Sequence, residues 1–271
     1  MKDKFNKLAE AAKILVKQPS LINLMLNSNE NFKTKFQAKY PNISALNQLT
    51  INYLCDEVPQ IPVSTFFLDG GSMLTDLRLL MGLASRKDVN SYFEIGTWRG
   101  ESVFNVAKIL EDCTTMNLSK KDIVSLGLNA GYAEQHGILS RKNPAIKHIE
   151  ANTKTFDFSK LGRTFDLIFI DGDHSYEMVK NDTRKVFASL VHEKSIVVWH
   201  DYAYSPRKIR YEVFMGILDA LPQNLHKKLY HIKNTMCAVY FPFEISSEKY
   251  KEFSLPETIF DVEITEKEFR N

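Results

Sequence analysis

Residues 91–102, Ser-Tyr-Phe-Glu-Ile-Gly-Thr-Trp-Arg-Gly-Glu-Ser, limit the folds open to this chain more than any other stretch. Tyr92, Phe93 and Ile95 favour a strand, and Gly96 stops it. Gly100 follows four residues later, and Ser102 to Leu110 then carries apolar residues at helical spacing. A strand, a glycine turn and a helix form the first half of a βαβ unit, the usual cradle for a nucleotide-like ligand. Dinucleotide sites place a second glycine two residues after the first, so that backbone can approach the pyrophosphate. Trp98 fills that place here, which argues against NAD or FAD and for an adenosine-bearing ligand without phosphates.

The rest of the chain continues the alternation of strands and helices. Thr114 to Leu118 and Ile146 to Ile149 are short candidate strands. Phe165 to Ile170 is apolar except for Asp166, as suits a strand buried on both faces of a parallel sheet. Ser175 is placed to cap a helix over Tyr176 to Leu190. Ser195 to Trp199 repeats the plan, with a helix expected from Arg207 to Ala220. Leu229 to Ile232 and Thr235 to Phe241, joined by Lys233-Asn234, read as a hairpin. Leu74 to Ala84 reads as a helix with Leu77, Leu80 and Leu83 on one stripe, followed after the glycine loop by a helix over Glu101 to Glu111. The segment Ser119 to Lys142 is polar, with a helix expected around Tyr132 to Leu139.

Three segments follow from this pattern. Residues 1–62 are expected to form a helical cap or dimerisation arm, with Phe5, Leu8, Ala12 and Leu15 on one helix before Pro19 and Phe32, Phe36 and Tyr40 on another. Residues 63–243 hold the alternating strands and helices, and residues 244–271 form an acidic extension. A net charge of +2 gives no bulk field for nucleic acid or an anionic membrane. Cys55, Cys113 and Cys237 are sparse, odd in number and lack metal-ligand spacing, which fits a reducing compartment. Lys4, Lys7, Glu10 and Lys13 interrupt any leader-like apolar core, and no apolar run is long enough to span a bilayer. The expectation is a cytoplasmic protein with no nucleic-acid or membrane partner, and with homo-oligomer formation through the N-terminal helices.

In an open parallel sheet, ligands bind at the carboxyl ends of the strands. Three such ends carry polar residues: Glu94 to Gly100, Asp171 to His174, and His200-Asp201. Glu94 lies within a strand, where a carboxylate must be paired or hydrogen-bonded; it either tightens the loop or faces a cationic ligand. Asp171, His200 and Asp201 are candidate ligands for a divalent ion. Carboxylates suit Mg²⁺, whereas His200 favours Mn²⁺, Fe²⁺ or Zn²⁺; equally, the aspartates are placed to cap the following helices. Asp173 and His174 are candidates for the general base, since histidine titrates near neutrality.

The motif Phe93 to Ser102 resembles the first motif of class I S-adenosylmethionine-dependent methyltransferases. Phe165 to Tyr176, together with Val197-Val198-Trp199-His200-Asp201-Tyr202, is similar to the small-molecule and sugar O-methyltransferase branch that includes macrocin O-methyltransferase-like enzymes. The resemblance implies an α/β, Rossmann-like three-layer sandwich with a seven-stranded, mostly parallel sheet whose last strand is antiparallel, plus the N-terminal helical extension. It implies that Glu94, Gly96, Thr97, Gly100 and Ser102 surround the methionine end of the cofactor, with Trp98 and Asp171 completing that set. In metal-dependent members an ion such as Mg²⁺ or Mn²⁺ sits on the positions of Asp171, His200 and Asp201, and His200 departs from the usual acidic pair. The acidic position expected to hold the ribose is filled by Asn117, and the one near adenine by Asn152.

The leading expectation is therefore an S-adenosylmethionine-dependent O-methyltransferase acting on a sugar or other hydroxylated small molecule, with Asp173 or His174 as base. Two alternatives stay open: a non-catalytic binding module on the same fold, and a metal-dependent phosphoester hydrolase.

Overall fold

A computed structural model describes residues 2–26, 28–54 and 60–269. Cys55 lies outside the described residues; Cys113 and Cys237 are buried free thiols. An eight-stranded sheet runs in the order β4(Ile146–Glu150), β3(Asp112–Asn117), β2(Ser91–Ile95), β5(Leu167–Ile170), β6(Ile196–Trp199), β10(Ala238–Tyr240), β9(Leu229–Ile232), β1(Asn47–Leu49). Only β10 runs antiparallel, pairing with β6 on one side and β9 on the other. The order reverses between β2 and β5, so the carboxyl ends of these two strands form the crevice where such sheets bind ligands.

The sheet has eight strands, not the expected seven. The addition is β1, which pairs in parallel with β9 through Asn47 and Tyr230, Gln48 and His231, and Leu49 and Ile232. A three-residue strand with two polar members has no alternation to reveal it, and the edge of β9 recruits it. The expected two-strand hairpin is present as β9 and β10.

Alternate residues of each central strand feed two separate cores. Phe93, Ile95, Ile168, Ile170, Val197 and Trp199 pack on one face with α9(Tyr176–Ser189), α10(Tyr211–Ala220) and α3(Asn29–Lys39). Tyr92, Leu167, Phe169, Ile196 and Val198 pack on the other with α4(Ile51–Leu54), α5(Leu74–Ala84) and α6(Glu101–Val106). Burying each large apolar side chain contributes about 1.5–3 kcal/mol, so the two faces together fix the strand register. Asp166, the polar exception before β5, accepts from Asn90 N (2.8 Å), Ser91 N (3.1 Å) and Ser91 Oγ (3.0 Å). It thereby pins the start of β2 to that of β5.

Several boundaries differ from expectation. The helix after the glycine loop is regular only to Val106 and continues to Leu110 as tight turns. The polar segment forms α7(Lys120–Ser125) and α8(Ala130–Gln135); Gly137, at φ +69°, turns the chain before the expected end at Leu139. Residues 207–210, expected to start α10, instead hold β8(Lys208–Ile209), which pairs with β7(Ala203–Ser205) around Pro206, and the helix begins at Tyr211. Ser175 occupies the N-cap of α9 without a side-chain capping bond.

The N-terminal segment also holds α1(Lys2–Lys17) and α2(Ile22–Leu26), and Phe5, Leu8, Ile14 and Val16 on α1 are exposed. The acidic tail follows the surface: Glu248 bridges to Gln48, Glu257 pairs with Lys233, and Phe269 meets Phe66 edge-on. Among the described residues, no helix is long and apolar enough to cross a membrane.

Candidate active site

The glycine loop leaves β2 with Gly96 at φ +98° and reaches α6 through Gly100 at φ +84°. Both conformations exclude ordinary L-residues. A Cβ on Gly96 would overlap the Asp171 carbonyl, so this glycine lets β2 and β5 close up at the crevice. A Cβ on Gly100 would overlap the Ser140 side chain. That second approach is built by the segment after α8: Gly137 N–H donates to Trp98 O (2.5 Å) and Leu139 N–H to Arg99 O (3.0 Å).

Glu94 is fully buried and accepts from three hydroxyls, Tyr92, Ser102 and Thr115, each at 2.7 Å. Its carboxylate is therefore spent on tying the loop, α6 and β3 together, and Ser102 is engaged in the same way. Thr97, also named as a cofactor contact, is 4% exposed, shares a 2.5 Å hydrogen bond with Thr115 and lines the cleft described below. Burial raises Glu94 to about 7, against the opposing pull of the hydroxyl donors. Because this lies above its ordinary value, the favourable contribution of Glu94 is complete below about pH 4.5 and disappears as pH climbs through about 7. Wild-type protein should lose about 3 kcal/mol over that interval through this residue. In Glu94→Gln that component of the urea-melt profile should vanish; parallel profiles for the two proteins would disprove it.

A cleft of about 280 Å³ opens beside the loop at the carboxyl ends of β3 and β4. Thr97, Asn117, His136, Arg141, His148 and Glu150 supply its polar lining. Trp98, held at φ +41°, stacks on Tyr132 with ring centroids 4.4 Å apart and meets His136 edge-on at 5.0 Å. Asn117 donates to Leu118 O (3.1 Å) and to His136 Nδ1 (2.7 Å), which leaves the proton of neutral His136 on Nε2. Burial, with Arg141 adding to it, pushes His136 down to about 4; burial also lowers His148. Two buried polar atoms of the cleft residues have no partner, His136 Nε2 and His148 Nε2; Trp98 Nε1, also unpartnered, lies toward Gly70 instead. Orphaned nitrogens beside an open cleft suit a ligand that hydrogen-bonds without carrying phosphate charge. Asn152 does not join them. It lies two residues past β4, is exposed, and its Oδ1 caps Lys154 N at 2.9 Å.

Across the switch point lies a chain of titratable groups. His200, at the end of β6, places Nε2 3.1 Å from Asp76 Oδ2 and Nδ1 3.1 Å from Asp171 Oδ1 and 3.3 Å from Asp201 Oδ2. Burial opposes the charge on His200, but the carboxylates outweigh it and hold the imidazolium well above its usual range. Burial raises Asp171, with His200 pulling the other way. Asp201 has φ +56°, an uncommon conformation for a non-glycine residue, and it also meets His174 Nδ1 at 3.1 Å and Arg210 at 3.7 Å. For Asp201, burial is outweighed by His200 and the other cations, so its value is depressed.

The two base candidates therefore differ. Asp173 caps Ser175 N at 2.7 Å, and hydrogen bonds from Ser175 overcome burial to lower it. His174 is half exposed, with Nδ1 oriented by Asp201. The sequence reading missed Asp76, Arg210, His136, His148 and Glu150. One signal for Asp76 was available: it is the sole acid in the apolar run Leu74 to Ala84, and it is completely buried.

Asp171, His200 and Asp201 bring one ligand atom each within 4.8 Å of one another. Asp76 on the far nitrogen of His200 matches the way a carboxylate orients a metal-bound imidazole. This donor set fits a divalent ion, with His200 making Mn²⁺ the better match than Mg²⁺.

Residues 93–202 match the family model described as a methyltransferase domain. No curated protein matches the chain. Among solved structures, a methyltransferase of Podospora anserina bound to S-adenosylhomocysteine is 16% identical, covering 64% of this chain and 80% of that one, with a TM-score of 0.46. DesVI of Streptomyces venezuelae is 15% identical over 45% of this chain and 46% of its own, with a TM-score of 0.33. An amino pentose methyltransferase of Micromonospora echinaspora is 17% identical, with corresponding shares of 43% and 44% and a TM-score of 0.31. The chain thus spans about half the length of the latter two.

Proposed function

We propose that this chain is an S-adenosylmethionine-dependent methyltransferase that methylates a hydroxyl of a sugar or other small molecule. The observation that carries this reading is the methyltransferase-domain match over residues 93–202, which takes in the glycine loop, Asp171 to His174, and His200-Asp201. The cofactor would lie against Thr97, Trp98 and the cleft at Asn117, beside the crevice that Gly96 and Asp171 define. Bound there, it supplies an electrophilic methyl group on a sulfonium.

The chain's own residues hold the acceptor hydroxyl and take its proton. His174 is the better base of the two candidates, because Asp201 fixes its Nδ1 and leaves Nε2 to receive the proton. Asp173, depressed and committed to the start of α9, positions the loop that carries His174. A Mn²⁺ or Mg²⁺ ion on Asp171, His200 and Asp201 would lower the pKa of a bound hydroxyl. His200 would have to give up its Nδ1 proton to hold such an ion, so metal uptake should release acid.

Calorimetric titration with S-adenosylhomocysteine, with and without Mn²⁺, tests the reading directly. Micromolar binding is expected, with proton release on adding Mn²⁺. His174→Ala should keep that affinity while lowering turnover of an identified acceptor by about 10²–10⁴. Folded protein that gives no heat with S-adenosylhomocysteine would rule the reading out and leave the non-catalytic module in its place.

A further inference from the structure

We propose that Glu150, on the third strand of the βαβ series, takes over the ribose hydroxyls that the amide of Asn117 cannot hold; this rests on the cofactor reading above. Two adjacent hydroxyls are best held by a carboxylate, which only accepts and offers two oxygens with charge assistance. The second strand of the series, β3, ends in Asn117. Its amide NH₂ is already engaged by Leu118 O and His136 Nδ1. That residue closes the cleft wall and has no charge to offer a diol.

The neighbouring strand supplies what is missing. β3 and β4 pair in parallel, and the register sets Asn117 directly beside Glu150. Both residues line the same cleft. Glu150 is exposed at the cleft mouth and, among the described residues, no hydrogen bond or ion pair holds its carboxylate. Among the described residues that line the cleft it is the only acid. Deeper in, His136 presents an unpartnered Nε2–H, while His148 bonds the Ser140 carbonyl and leaves Nε2 unpartnered. Burial disfavours the charged form of both rings. A free carboxylate at the mouth and neutral hydrogen-bonding nitrogens behind it suit a nucleoside, with the sugar diol outermost.

The sequence does not show this directly. Counting forward to the loop after β4 leads to Asn152, whereas the strand itself ends on Glu150 and its last residue reaches the cleft.

The test uses the whole chain and two probes, S-adenosylhomocysteine and its 2′,3′-dideoxy analogue. Glu150→Gln should weaken S-adenosylhomocysteine binding about 10- to 100-fold, as expected for losing hydrogen bonds to a charged group. The same substitution should leave the dideoxy analogue's affinity unchanged, with an unaltered melting temperature. Glu150→Asp, which keeps a carboxylate at the same strand position, should retain more of the hydroxylated probe's affinity than Glu150→Gln; equal losses for the two substitutions would overturn the role of the charge. If wild type binds S-adenosylhomocysteine and Glu150→Gln binds it equally well, the ribose role is overturned while the cofactor reading stands. An equal loss for both probes overturns it too. Wild-type protein that binds neither probe removes the cofactor reading and this inference with it.

Discussion

Gly96→Ala is expected to disable the site and destabilise the whole domain. The glycine sits at φ +98°, where an L-residue costs about 1–3 kcal/mol. Its added methyl would also meet the backbone carbonyl of Asp171 and the amide of Gly172, neither of which can rotate away. Relief requires β2 and β5 to separate where Asp171 N–H donates to Ile95 O at 2.8 Å. Strain of this kind typically adds about 1–3 kcal/mol, so the total is about 2–6 kcal/mol. For a domain of this size that lowers the melting temperature by roughly 10 °C. Binding of S-adenosylhomocysteine should fall below detection, because the crevice is set by the same contact. Gly127→Ala is the matched control: its φ is +83°, but nothing lies within 4 Å of the added carbon. That variant should lose only the conformational term of about 1 kcal/mol. Equal melting temperatures for the two variants would show that the approach of the two strands does not matter.

This glycine was legible in the sequence because its signal is local. A strand, a stop and a helix fall within twelve residues, and the physical demand on Gly96 is set by the next strand of the same sheet. The buried strands at 167–170 and 196–199 were legible for the same reason: a continuous apolar run has few other uses. What escaped were pairings made across the fold. Asp76 reaches His200 and the backbone of Met236, 124 and 160 residues away. In the sequence it looks like an acid in the first turn of a helix, a position usually solvated. Glu150 carries no periodic or motif signal, and only the register with Asn117 brings it to the cleft. His136 and His148 line that cleft from the end of α8 and from β4, and neither segment is apolar enough to reveal burial. The role expected for Glu94 was legible in its location but not in its purpose. A carboxylate in a strand must be satisfied, and three hydroxyls from β2, α6 and β3 satisfy it.

His200→Leu should be the most damaging single change outside the glycine loop. His200 is the cation shared by three carboxylates, and Asp76 beneath it is completely buried. Asp76 also accepts from Met73 N at 2.9 Å and Met236 N at 2.8 Å, which satisfies its oxygens without balancing its charge. Removing one partner of a buried ion pair costs about 3–5 kcal/mol, because the other charge remains in a medium that solvates it poorly. Leucine fills much of the space, so a loss of that size in chemical denaturation reports charge rather than a cavity. Asp76→Asn combined with His200→Gln should recover part of the loss, since the completely buried charge of Asp76 goes with its partner, while Asp171 and Asp201 still lose the cation they shared. A double variant as unstable as His200→Leu would mean that the packing of the ring, not its charge, holds this end of the sheet. The neutral pair also separates stability from chemistry. It would leave the glycine loop and the cleft at Asn117 intact, so S-adenosylhomocysteine should still bind. It would also lose the imidazole that makes Mn²⁺ preferable to Mg²⁺, and the acid released on adding Mn²⁺ should disappear with it.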